Sequence, residues 1–88
     1  MRLVSQNGNV DIPYDKAILL HAQDDVMARV GDKEYILGVY SSMEKSYRVM
    51  EMLRDEYLQY CTARSNEYWF AFNNPKAFQF PKDDEVEV

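Results

Sequence analysis

Residues 34–64 read EYILGVYSSMEKSYRVMEMLRDEYLQYCTAR, and two different spacings meet inside them. Over 34–40, Tyr35, Leu37 and Val39 alternate with Ile36, Gly38 and Tyr40, the period of two that sends neighbouring side chains to opposite faces of a strand. Both sets are apolar enough to predict a central strand. From Ser42 to Arg64 there is no glycine or proline. Met43, Tyr47, Met50, Leu53, Tyr57 and Tyr60/Cys61 recur at steps of three and four, which predicts one long helix over 42–64 with a single apolar stripe. Ser41 stands three residues before Glu44, the capping-box spacing. Glu44–Arg48 and Glu51–Arg54 lie at helix-neighbour spacings on more polar faces.

Upstream, Leu3–Ser5 and Val10–Pro13 flank Gln6-Asn7-Gly8-Asn9, where Asn-Gly predicts the centre of a tight type I′ hairpin turn. Residues 16–23 carry Ala17-Ile18-Leu19-Leu20 and stop at Asp24-Asp25, so a strand is expected there. Residues 26–30 and 34–40 bracket Gly31-Asp32-Lys33 as a second hairpin. Downstream, residues 67–81 read EYWFAFNNPKAFQFP and hold six of the twelve aromatic residues. Phe70 and Phe72, then Phe78 and Phe80, are each two apart. A strand or hairpin here would set four phenylalanines on one face. The expected fold is therefore α+β: an antiparallel sheet of five to six short strands with one helix, 42–64, across one face. A 23-residue helix of ~34 Å outruns strands of ~17–20 Å. Its last turns, with Tyr57 and Tyr60, are expected to overhang the sheet, whose second face is left bare. Overhang and bare face predict a homo-oligomer, a dimer or higher, with Tyr57, Tyr60, Phe70, Phe72, Phe78 and Phe80 at the subunit contact.

Eighty-eight residues allow one domain, expected over 1–82 and followed by an acidic tail, 83–88. The net charge of −5 opposes direct binding to a nucleic-acid backbone. Four of the six closing residues are carboxylates, so the acidity belongs mostly to that end, read as solvated and frayed. MRLVSQNG lacks the apolar core of a signal peptide. No uncharged apolar run, 17–20 included, approaches the length that crosses a bilayer. With one cysteine, a soluble cytoplasmic protein is expected.

Little here does chemistry. His21 is the only histidine and Cys61 the only thiol; Cys61 falls on the helix stripe and is expected in the core, and His21 in a hydrogen-bonded structural role. Asp24 and Asp25, neighbours in sequence, are read as turn residues rather than as a cation site. The glycines, Gly8, Gly31 and Gly38, are too scattered for a phosphate loop. No enzyme, cofactor or metal is expected. Binding is better supplied: Tyr68 and Trp69 offer flat faces, Arg48, Arg54 and Arg64 offer guanidinium groups, and Asn73 and Asn74 offer polar edges. Gathered at a subunit boundary, these would make a pocket for a nucleotide-like small molecule.

Three stretches, MRLVSQNGNVDIPYD, GVYSSMEKSYRVMEMLRDEY and FQFPKDDEVEV, resemble a group of short proteins from phages and integrated elements of Gram-positive, often gut, bacteria. That group opens near MR-hydrophobic-ISQ-G-DFPYE, carries a YST-EEKA–AMEMLR helix and closes on FQFP-acidic. The matching positions are 2–14, 40–57 and 78–88, about half of the chain. Asp15 stands where the pattern has glutamate, and Ser46 and Val49 stand where the helix usually carries alanine. No catalytic residues come with the resemblance. It implies a mobile-element setting, and within it three readings stay open. One is a homo-oligomer that sequesters a nucleotide-derived immune signal. The second is a protein inhibitor of a host defence enzyme, through its aromatic surface or as an acidic mimic. The third is a structural or regulatory phage protein without a ligand.

Overall fold

The computed structural model describes residues 1–64 and 77–88, with 62–64 by backbone alone. Among the described residues six strands form two three-stranded sheets beside one long helix, an α+β fold. The first sheet takes β1 (Arg2–Val4), β2 (Asp11–Pro13) and β6 (Ala77–Gln79) in the order β2-β1-β6. The second is a meander of β3 (Ile18–Ala22), β4 (Asp25–Val30) and β5 (Lys33–Val39). Helix α1 spans Met43–Arg64. The single antiparallel sheet expected from sequence is thus divided, and one of its pairings is parallel: β6 runs alongside β1 with Leu3 opposite Phe78.

Local turn chemistry explains the two hairpins expected from sequence, and a third turns at Gln23-Asp24 between β3 and β4, with Gln23 at positive φ. Asn7 and Gly8 do not form the centre of a I′ turn. The Gly8 N–H donates to the Ser5 carbonyl, which puts Gln6-Asn7 at the centre and leaves Gly8 alone at positive φ, +78°. Asn7 Oδ1 then accepts from the Ser5 hydroxyl at 2.7 Å and the Asn9 N–H at 3.0 Å, holding the loop from inside. In the second hairpin Val30 pairs with Lys33, so Gly31-Asp32 is a two-residue turn with positive φ at the first position only. That is the type II′ pattern, which glycine adopts freely.

The core lies between sheets and helix. Leu3, Ile12 and Phe78 form one cross-strand row; Val26, Ala28, Leu37, Tyr40, Val49, Leu53, Phe80 and Val86 complete the cluster. Several expectations change here. Phe78 and Phe80 share a face as predicted, but they are core of the single chain, not subunit contact: they are 8% and 1% exposed and meet edge to face at 5.2 Å. The buried helix stripe is Ser46, Val49, Leu53 and Tyr60, rotated from the predicted one, so Met43 and Tyr47 are exposed and Cys61 is an exposed thiol rather than a core one. The overhanging turns rest on their own chain, where Tyr57 stacks on Tyr14 at 4.1 Å and lies 6.3 Å from Tyr60.

The acidic close is no frayed tail. Residues 83–85 form a short 3-10 turn and Val86, 4% exposed, is buried in the core cluster. Asp83 reaches the start of α1, accepting from the Ser41 N–H at 2.8 Å and lying 3.6 Å from Lys45 Nζ. A carboxylate at a helix N-terminus is favoured by the free N–H groups there. The expected Ser41/Glu44 capping box is replaced by this contact and by Ser42, whose hydroxyl accepts from the Lys45 N–H at 3.2 Å.

Candidate functional site

The sequence places candidate groups on three elements, and the structure brings few of them together. Arg48 and Arg54 line a shallow groove of about 480 Å³ on the outer side of α1, with Glu44, Tyr47, Glu51 and Val88. Arg48 is already paired: its Nη1 lies 2.5 Å from Glu51 Oε1, in place of the expected Glu44–Arg48 and Glu51–Arg54 pairs. Two arginines among two glutamates give this groove no excess positive charge. Arg64 ends α1, its side chain outside the described residues. Tyr68, Trp69, Phe70, Phe72, Asn73 and Asn74 lie outside them as well, so the aromatic and amide part of the expected pocket stays a sequence expectation.

His21 takes the structural role expected of it. On β3 it faces the helix, its ring stacked on Tyr47 at 4.2 Å and its Nε2 2.5 Å from Ser46 Oγ. The Ser46 hydroxyl donates to the Met43 carbonyl at 2.9 Å, so its oxygen is left to accept from Nε2–H. Ser46 is fully buried. A serine whose proton is bound to a backbone carbonyl and whose oxygen no substrate can reach is not a nucleophile. Among the described residues no three His, Cys, Asp or Glu side chains converge as metal ligands, and no helix is long and apolar enough to cross a membrane.

Gln6 joins the two sheets. Its N–H donates to the Leu37 carbonyl, its Nε2 to the carbonyls of Val39 and Pro81, and its Oε1 accepts from the Val39 N–H at 2.9 Å. Tyr40 adds a hydroxyl bond to the Pro81 carbonyl at 2.8 Å, and burial raises its phenol well above the ordinary tyrosine value. These contacts cover one edge of the meander at residues 37–39. β5, which reads as central in the sequence, thus lies at the edge of its sheet, with Gln6 taking main-chain hydrogen bonds there in place of a further strand.

The outer face of the meander carries a group of exposed apolar side chains. A bulge in β5 places Val26 opposite Gly38 and Met27 opposite Ile36, leaving Leu37 without a partner in the ladder. Strict alternation would have put Val39 with Leu37; the extra residue turns it to the side of Ile36 instead. The outward rows are Ile18–Arg29–Glu34, Leu20–Met27–Ile36 and Ala22–Asp25–Val39. Ile18, Ile36 and Val39 are 58%, 52% and 53% exposed, and Leu20 and Met27 are half-buried between them. The inner rows, by contrast, include the fully buried Val26 and Ala28. Comparison with protein-family models, with curated proteins and with solved structures finds no match to this chain.

Proposed function

We propose that this chain is a non-catalytic binding protein of the phage accessory type, acting through contact with another polypeptide. The observation that carries the reading is the outer face of β3-β4-β5, where five aliphatic or thioether side chains adjoin and three are more than half exposed. Single exposed apolar residues are ordinary on a protein surface, whereas a contiguous patch marks a contact site. The chemistry around His21 supports a binding role over a reaction, because its serine partner is sealed and already donating.

Capture of a nucleotide-derived signal draws less support from the described residues. An anion entering the α1 groove would have to displace Glu51 from Arg48 beside a second glutamate. Native mass spectrometry of the protein isolated from phage-carrying bacterial cells separates the readings. Assemblies built from polypeptide alone, lost in Ile36→Lys, are expected. A retained adduct of several hundred daltons, released intact on denaturation, would overturn the proposal in favour of signal sequestration. Polypeptide assemblies that persist unchanged in Ile36→Lys would remove the sheet face from it.

A further inference from the structure

We infer that the occupant of the open sheet face is a second copy of the same chain, packed face to face about a twofold axis at the Leu20–Met27–Ile36 row. The inference rests on the binding reading above and names its partner. Its basis is the charge pattern on β4. Residues 25, 27 and 29 share the outward side, with Asp25 and Arg29 placed two residues on either side of Met27. A twofold axis lying between two such faces, perpendicular to the strands, sets each position on β4 opposite the position equally far beyond Met27 on the other copy. Arg29 of one chain then faces Asp25 of the other, twice, and Met27, Leu20 and Ile36 each meet their own equivalents. Across the axis the β4 charges thus complement one another and the apolar row meets itself, as an isologous contact requires, while Glu34 on the edge strand β5 falls opposite Val39 at the rim and stays in water.

Geometry allows the pairing. Stacked sheets lie ~10 Å apart, a gap that an extended arginine and a short aspartate close between them. Aligned sheets cross at ~30°, which shifts groups two residues from the axis sideways by only ~3–4 Å at ~3.4 Å per residue. Arg29 is free to turn. Its present partner, Glu34, lies at 3.9 Å with both side chains about half exposed, a contact worth little in water. Further along the face, Ile18 would lie over Ala22, a large residue against a small one, and no charge interrupts the central row.

The footprint sets the strength. Three strands of five residues measure roughly 14 by 17 Å, well below the ~800 Å² per partner of a standard stable interface. Only a weak dimer is therefore expected, filling towards the upper end of the concentrations that sedimentation reaches, with monomer below. Sedimentation velocity of the full chain from about 1 to about 500 µM tests this. Arg29→Asp and Asp25→Arg should each weaken self-association at least about tenfold, because each sets like charges opposite one another. Mixed one to one, the two variants should associate again, since one then presents carboxylates at both positions and the other presents guanidinium groups at both. Circular dichroism confirms that each variant is folded before mixing. A wild-type chain that stays monomeric throughout overturns the inference but not the binding reading, which falls to retained ligand or to indifference of its assemblies to Ile36→Lys. A dimer unmoved by both charge reversals also overturns it, and assigns the contact to another surface.

Discussion

Replacing Val86 by alanine asks whether the acidic close of the chain is part of the fold. Val86 stands among Asp83, Asp84, Glu85 and Glu87, yet only 4% of it is exposed and it belongs to the same cluster as Leu53 and Phe80. The substitution removes two methyl groups, worth ~0.8 kcal/mol each when buried. An unrelaxed cavity would add up to about 1 kcal/mol. Partial settling of the neighbouring backbone and side chains into that space brings the expected loss to about 2 kcal/mol. For a domain of this size each kcal/mol moves the melting midpoint by ~4–8 °C, giving a fall of roughly 8–16 °C. Thermal and urea unfolding followed by circular dichroism measure it, with Glu87→Ala as an exposed neighbour expected to stay within ~0.5 kcal/mol of wild type. A Val86→Ala loss no larger than that of Glu87→Ala would refute the placement of this residue in the core, and with it the reading of residues 83–88 as structure.

Gly38→Ala should destabilise by ~1–3 kcal/mol through overpacking, because an added Cβ would sit 2.6 Å from the Tyr40 ring; an unchanged urea midpoint would show that the ring can move aside. Gln6→Glu keeps the acceptor for the Val39 N–H but turns a second acceptor towards the carbonyls of Val39 and Pro81. It should cost on the order of 2 kcal/mol at neutral pH and recover as acid protonates the new carboxyl, so a pH-independent loss would contradict the geometry. Asp83 is held below the ordinary carboxylate value, first by the Ser41 N–H and further by Lys45. A depressed carboxyl contributes stability that is full above its unfolded value of ~4 and lost as pH falls through its lower folded value. The stability gap between wild type and Asp83→Asn should accordingly be constant above about pH 5 and close in stronger acid; a gap that persists to pH 2 would remove the ion from the account.

What the sequence made legible was local, and what it hid was not. The hairpin at 31–32 and the helix between Ser42 and Arg64 follow from turn glycines and from the absence of breakers, and both are present. The rotation of the helix was obscured because its tightest contact is polar. Ser46 is buried, its hydroxyl satisfied by Met43 and His21, whereas apolar Met43 is exposed and Tyr47, more than half exposed, lies at the margin against the His21 ring. A hydrophobicity count scores those positions the wrong way round. The division into two sheets depends on β1 pairing with β6 from the far end of the chain, a contact for which no nearby residue gives a signal. The bulge at Leu37 likewise moved Val39 between faces. Gly38 beside it is the one local mark, and a glycine inside a strand signals a close neighbour, here the Tyr40 ring, as readily as a bulge. Of the expected binding residues, Arg48 and Arg54 do share a groove, but spacing alone could not show that Glu51 would occupy Arg48.

The open face is not needed to hold the fold. The meander is fixed to the helix by its inner rows and to the first sheet by Gln6, so Leu20, Met27 and Ile36 could be polar with only a small loss. Cross-strand pairs of this kind contribute ~0.2–1 kcal/mol each. An edge or face left merely solvated is normally protected by charges on its central positions. Here the two charges of β4 stand on either side of Met27, opposite in sign and equidistant from it, and the remaining charge of the face, Glu34, lies beside Arg29 on the edge strand. Such an arrangement does little to repel an incoming apolar surface; it selects which surface can enter and in what orientation. Stability and association should therefore separate cleanly at Ile36, where a lysine is tolerated by the folded chain and not by its partner.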